Sequence, residues 1–316
     1  MADRMCATTD DAFSQGLVPA CTCPCGAGRR RFLGFLGGAA AVAAGMGDAA
    51  AREGVDVGPP SQLSKLVSAE SVERAATQQY AQMLGQAANR GTLAPESHPQ
   101  VQRLRAIARR LIPHTYEWNP RAREWRWQVQ LLVSKQINAF CMPGGKIAFY
   151  WGILAQLQLS DDEVAMIMGH EMAHALREHA REQMGKRFAT RGAIEIGSAL
   201  LGLGNGGRLL ADMGGQLLNM SFGRADETEA DLVGLELAAR GGYDPRAGVT
   251  LWQKMARASQ RSSVELLSTH PSGPTRISGI EANLPKVLPL YARAAKPEQV
   301  FGPPPGAPLP TAPARR

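Results

Sequence analysis

His170-Glu171-Met172-Ala173-His174 puts two imidazoles and a carboxylate on one short stretch of chain. Residues four apart share a helical face, so both rings can bind a single zinc ion. The glutamate between them can then take a proton from water that the ion activates, which is the chemistry of metal-assisted hydrolysis. The chain holds only six histidines, so the pattern is uncommon by chance. Two unrelated histidines on a surface helix would also produce it, and the neighbouring elements have to decide.

Those neighbours predict a helix. Ser160-Asp161-Asp162-Glu163 reads as a capping box, with acidic residues in the first turn where the helix dipole favours them. Val164, Ile167, Met168, Ala175 and Leu176 recur at helical spacing. Arg177, Glu178, Arg181 and Glu182 form the wet end.

Two histidines leave a catalytic zinc site one protein ligand short. Glu227 and Asp231, in the run Arg224-Ala225-Asp226-Glu227-Thr228-Glu229-Ala230-Asp231, are four apart and face the same side of a helix. One can ligate the metal while the other holds a ligand histidine by its second ring nitrogen. A solvated acidic face would look the same. Asp226 and Glu229 are read as such a face.

With these residues in place the chain resembles the gluzincin metallopeptidases that include HtpX and the CAAX prenyl endopeptidases. Asn138-Ala139-Phe140-x-x-Pro143-Gly144-Gly145-x-Ile147 is similar to that family's hairpin before the active-site helix. Thr269-His270-Pro271 with Arg276-Ile277 is similar to its late His-Pro segment. The resemblance runs from about Leu104 to Leu284 and is strongest to the soluble periplasmic BepA/LoiP-like branch.

The resemblance implies an α+β, mostly helical, zincin-like metallopeptidase domain with one small β-sheet beside the active-site helix. It implies His170, His174 and Glu227 as ligands of one zinc ion per chain, and Glu171 as general base. Asp231 would orient a ligand histidine, and Arg224 would brace the glutamate-bearing helix. His270 would steady the oxyanion or block the resting site. Asn138, Ala139 and Phe140 would lie on the strand at the cleft edge, pairing with an extended substrate. The implied substrates are unfolded or misassembled cell-envelope proteins. His179, five residues from His174, falls off the metal face and is read as structural. His98 and His114, flanked by prolines, are read as loop residues.

Arg29-Arg30-Arg31-Phe32-Leu33-Gly34 resembles a twin-arginine export signal, followed by an apolar Gly- and Ala-rich stretch through Met46 and small residues at Ala49-Ala50-Ala51. The apolar stretch is too short and weak for a membrane span. The expected division is a signal at 1–51, a metallopeptidase domain at 52–290 and a proline-rich disordered tail at 291–316, in a periplasmic protein. A cytosolic protein with a basic tail is the alternative. Cys6, Cys21, Cys23 and Cys25 precede the expected cleavage site, leaving Cys141 without an internal disulfide partner and suited to a small buried position.

The formal net charge is +7, and the expected signal carries as many Arg as Asp, so export would leave the balance unchanged. The densest basic set is Arg103, Arg105, Arg109, Arg110, Arg121, Arg123 and Arg126. No nucleic-acid motif accompanies it. Peripheral contact with anionic lipid or an envelope partner is the reading left for it.

Around the motif, the pattern predicts helices over 61–88, 99–112 and 151–159, a strand over 124–133, and a hairpin over 137–149 across Pro143-Gly144-Gly145. Residues 193–220, rich in Gly, Leu and Ala but interrupted by Arg208 and Asp212, suit a flap over the cleft rather than a membrane span. The expected function is zinc-dependent endopeptidase activity. An envelope chaperone or assembly factor on the same fold, with latent proteolysis, is the alternative, and it would have no need of Glu171. A zinc carrier would need His-rich tracts that the sequence lacks.

Overall fold

Ser160 starts the central helix as its sequence predicts. The Glu163 backbone N–H donates to Ser160 Oγ at 3.3 Å, and the Ser160 N–H donates back to Glu163 Oε2 at 2.8 Å. The computed structural model describes residues 52–199, 217, 220–261, 263–270 and 274–304. The expected signal lies outside the described residues, as do most of the 193–220 segment and residues 305–316.

In chain order the elements are α1 (Ala69–Asn89), α2 (Pro99–Leu111), β1 (Gln128–Leu132), β2 (Ala139–Met142), β3 (Lys146–Tyr150), α3 (Trp151–Gln156) and α4 (Asp161–Leu176). After them come α5 (His179–Ala199), α6 (Arg224–Arg240), α7 (Ala247–Ser259), α8 (Glu265–Thr269) and α9 (Pro274–Arg293). The helix expected over 61–88 is divided. Ser68 adopts an extended backbone and caps α1 by accepting from the Ser71 N–H at 3.2 Å, so 62–66 forms a separate 3-10 turn.

The strand expected over 124–133 is regular only over β1. Its partner β3 begins at Lys146, opposite Gln128, and nothing upstream is left to pair with. Trp125 and Trp127 instead bond to neighbouring helical segments, the first to Glu73 Oε1 on α1 at 3.0 Å and the second to Ala122 O in the 3-10 turn 120–123 at 3.2 Å. The sheet has the order β1-β3-β2, with β1 parallel and β2 antiparallel to β3. Gly144 and Gly145 turn the hairpin at φ +82° and +75°, a region that L side chains rarely adopt. Among the described residues β2 is therefore an edge strand.

Two contacts fix α4. Arg103, fully buried on α2, donates through Nε to Asp161 Oδ1 at 2.6 Å and through Nη2 to Leu159 O at 2.7 Å. At the other contact, α4 crosses α6 at paired glycines. A Cβ on Gly169 would stand 2.7 Å from Gly234 O, and one on Gly234 only 2.6 Å from the His170 backbone nitrogen. Only glycine at both positions lets the two helices approach this closely, and that approach faces His170 and His174 toward Glu227 and Asp231. The main core surrounds this crossing, with Ile167, Met168, Val233 and Leu237 nearly or wholly buried.

Much of the densest basic set is engaged within the domain: Arg103 on Asp161, Arg105 on Glu96, Arg121 on Glu70 and Glu73, and Arg110 on the Gly241 and Ala295 carbonyls. The last helix, α9, continues to Arg293, and the chain beyond it returns to α4, where the Phe301 N–H donates to Asp161 Oδ2 at 2.7 Å. No helix among the described residues is long and apolar enough to cross a membrane.

Candidate active site and metal centre

The α4 helix presents His170 and His174, α6 presents Glu227, and the residue after α8 is His270. All four are buried, and their donor atoms lie within 4.8 Å of one another. His170 Nε2 is 3.1 Å from His174 Nε2 and 3.5 Å from Glu227 Oε2. Glu227 Oε1 is 3.5 Å from His174 Nε2, while His270 Nδ1 is 2.9 Å from Glu227 Oε1 and 3.3 Å from His170 Nε2. Nitrogen and oxygen donors held about 2.0–2.1 Å from a tetrahedral zinc stand roughly 3.3–3.4 Å apart. The donor set and its spacing fit that ion.

Each histidine of the motif is held from behind. His170 Nδ1 is 3.1 Å from Asp231 Oδ1. His174 Nδ1 is 2.9 Å from His179 Nδ1, and His179 Nε2 is 3.0 Å from Glu229 Oε2. Phe222 stacks on the His174 ring with centroids 4.1 Å apart. A buried guanidinium, that of Arg276, ties the acids together. It donates to Asp231 Oδ2 at 2.7 Å and Oδ1 at 2.6 Å, pairs with Glu227 Oε2 at 2.8 Å, and lies 3.6 Å from the Trp252 ring centroid.

Several sequence-based assignments change here. Arg224, expected to brace the glutamate-bearing helix, is exposed at the first residue of α6, and Arg276 is the guanidinium that reaches Glu227 and Asp231. Asp226 and Glu229 are not a solvated face. Asp226 is buried and accepts from the Gly223 N–H at 3.0 Å, and Glu229 pairs with His179 and Arg177. His179 stays off the donor cluster, as its spacing predicts, yet it reaches His174. Helix α4 ends at Leu176, Glu178 takes φ +59°, and α5 restarts at His179, which folds that ring back. His98 is the N-cap of α2, accepting from the Gln100 N–H at 3.1 Å.

The charges divide the acids by role. In the metal-free chain, burial pulls His170 down, but the Asp231 and Glu227 carboxylates overcome it and hold it up at about 9. Burial and the neighbouring His270 and His170 rings push His174 well below its ordinary value. Burial opposes ionisation of Glu227 and Asp231 as well. Bonds from His170 and His270 nevertheless keep Glu227 below the usual carboxylate range, and His170 with Arg276 does the same for Asp231. For Glu171 burial prevails and raises the carboxyl. Its Oε1 is buried without a hydrogen-bond partner, 3.7 Å from His270 Nε2. An acid with raised proton affinity beside the donor cluster is suited to general-base work.

A cavity opens beside this group. Glu171, His174 and His270 form one wall and Asn138, Ala139 and Phe140 another, with Leu217 and Met220 on its lining. The β2 edge strand thus runs along the cavity that holds the candidate base. Cys141 is buried in the same strand, and burial pushes its thiol well up, as suits a small packing residue rather than a nucleophile.

A mostly helical domain with one small sheet, two histidines of an H-E-x-x-H helix and a carboxylate from a second helix defines a zincin-like metallopeptidase domain. Residues 98–284 match Peptidase family M48, and the chain belongs to that family of zinc metallopeptidases. It is 30% identical over 223 residues to the mitochondrial metalloendopeptidase OMA1 of Schizosaccharomyces pombe, covering 70% of this chain and 63% of that one. It is 28% identical over 196 residues to the metalloprotease LoiP of Escherichia coli, covering 61% and 73% respectively. A third relative is the beta-barrel assembly-enhancing protease of Yersinia pestis, 30% identical over 158 residues, or 47% of this chain and 32% of that one. The match spans less than two thirds of the length of the OMA1 proteins of S. pombe, Arabidopsis thaliana and Saccharomyces cerevisiae.

Proposed function

We propose that this chain is a zinc metalloendopeptidase of the periplasm that hydrolyses misfolded or misassembled cell-envelope proteins. The observation that carries the chemistry is the unpartnered Oε1 of Glu171, buried beside four convergent metal donors. Zinc held by His170, His174 and Glu227 supplies Lewis acidity toward water and a peptide carbonyl. Glu171 takes the proton from the attacking water at Oε1 and later delivers it to the leaving amine. Asp231 and Arg276 keep His170 and Glu227 aimed while this happens. An extended substrate pairs with the outer edge of β2 at Asn138, Ala139 and Phe140, which places its backbone along the cavity wall.

One observation favours a second, resting arrangement of the same site. His270 Nδ1 stands among the donors, 2.9 Å from Glu227, where a catalytic site needs an open position. A His270 that leaves this place on substrate binding can steady the oxyanion. One that remains keeps the protein in a binding mode without hydrolysis, as a chaperone or assembly factor would be.

The envelope assignment rests on the twin-arginine-type segment at residues 29–51 and on the resemblance to envelope proteases. Incubating the purified chain from residue 52 with unfolded casein, with and without chelator, tests the activity. Zinc-dependent cleavage is expected, and its absence from both the parent and His270→Ala would leave the chaperone reading in possession. Lysine at both Arg29 and Arg30 should strand uncleaved precursor in the cytoplasm; an unchanged periplasmic yield would remove the export assignment.

A further inference from the structure

We infer that His179 and Glu229 are positioning residues that fix the tautomer and aim of His174 through a two-step hydrogen-bond relay. The inference rests on His174 being a metal ligand, as proposed above.

The hydrogens can be placed in only one way along this chain of contacts. A His174 that meets the ion through Nε2 leaves that nitrogen unprotonated, so its ring hydrogen sits on Nδ1. The nearest acceptor is His179 Nδ1 at 2.9 Å. His179 must then carry its own hydrogen on Nε2, where it donates to Glu229 Oε2 at 3.0 Å. Glu229 accepts in turn from Arg177, whose Nη2 donates to the Gly58 carbonyl at 2.9 Å. Every polar atom in the series has one role, and the series ends on a carboxylate locked by a buried arginine.

His170 receives the same support directly, from Asp231 at 3.1 Å. The two histidines of the motif are therefore held by carboxylates on one helix, α6, one of them through an imidazole spacer contributed by α5. A carboxylate behind a ligand histidine orients the ring and raises its basicity. The spacer transmits both effects because an imidazole that accepts at one nitrogen and donates at the other keeps the bonds aligned. His179 is 1% exposed along its side chain, and a buried ring with both nitrogens engaged has little freedom to turn.

A merely structural role, stapling α5 to α6, would affect folding without affecting the metal. The experiment therefore reads metal binding. Zinc affinity is measured by chelator competition, and the visible spectrum of the Co(II)-substituted protein is recorded, for His179→Phe, His179→Asn, Glu229→Gln and the double change His179→Phe with Glu229→Gln. His174→Ala serves as reference. His179→Phe keeps ring volume but removes the acceptor, and should weaken zinc binding by about 10- to 100-fold with a shifted Co(II) spectrum. His179→Asn restores an acceptor near the Nδ1 position and should recover most of the loss. Glu229→Gln should weaken binding in the parent but add little once His179 is Phe, the mark of residues acting in series.

Wild-type zinc affinity and an unchanged Co(II) spectrum in His179→Phe, with binding lost in His174→Ala, overturn the relay alone. Zinc retained in His174→Ala removes the ligand assignment itself, and the relay with it. If His179→Phe shows no cooperative melt, Glu229→Gln decides, and wild-type affinity and spectrum in that variant overturn the inference.

Discussion

The backbone of His170 passes so close to Gly234 that a Cβ there would lie 2.6 Å from the His170 nitrogen. This contact sets the distance between the helix that offers two imidazoles and the helix that offers the carboxylate. Gly234→Ala should therefore act on stability and on the metal together, costing about 1–3 kcal/mol through overpacking and lowering zinc affinity. Gly279→Ala is the control, since nothing lies within 4 Å of a Cβ there; removing a helical glycine at that site should be neutral or mildly stabilising. Melting curves and zinc titration of both variants check this, and a Gly234→Ala protein that binds zinc normally would uncouple the crossing from the site.

Base and ligands should separate on substitution. Glu171→Gln should retain zinc and lose hydrolysis, because the amide cannot take the proton from water. His170→Ala and His174→Ala should lose both. Metal analysis of the purified variants alongside a casein assay is sufficient. Glu171→Gln that loses zinc as fully as the histidine changes would make Glu171 a structural part of the site.

Two facing pairs were legible in the sequence because helical spacing of four fixes a shared face, His170 with His174 and Glu227 with Asp231, while the choice of Glu227 over Asp231 and the place of His270 came from the family resemblance. The capping box at Ser160 and the glycine hairpin were legible for the same reason, since each is a local rule. Partners brought in by tertiary folding were not. Nothing in the spacing of Arg276 says that its guanidinium crosses to α6, and the rule for adjacent acids assigned Asp226 and Glu229 to solvent although both are engaged. His179 shows the limit most clearly. Its offset of five is off the α4 face, as predicted, but the break at Glu178 with φ +59° returns it to His174 by a route that no periodicity describes.

Zinc binding should release a proton over most of the accessible pH range. In the metal-free chain His170 is held up at about 9 by Asp231 and Glu227, so below that pH the ion must displace a proton before it can be ligated. Apparent affinity should climb with pH, by up to about tenfold per unit for one displaced proton, and level off near 9. Asp231→Asn removes one source of the elevation and should lower both the plateau pH and the number of protons released at pH 8. Calorimetry in buffers of different ionisation enthalpy counts those protons. Affinity that is flat between pH 7 and 9 would mean that His170 is already neutral in the metal-free protein.

Arg276 should matter most when the metal is absent. Its guanidinium pairs with Glu227 at 2.8 Å and with Asp231 at 2.6 Å, all three side chains being nearly inaccessible. Arg276→Met strands two carboxylates in a dry site, and removing one partner of a buried ion pair costs about 3–5 kcal/mol. A bound ion would offset part of that loss, because it places positive charge against Glu227. The melting deficit of Arg276→Met relative to the parent should therefore be larger in chelator than in excess zinc. Arg276→Lys should fall between, since a lysine is one point charge and cannot span both acids as the planar fork does. Equal deficits with and without zinc would show that the guanidinium acts through Asp231 and the Trp252 face alone, and that Glu227 does not depend on it.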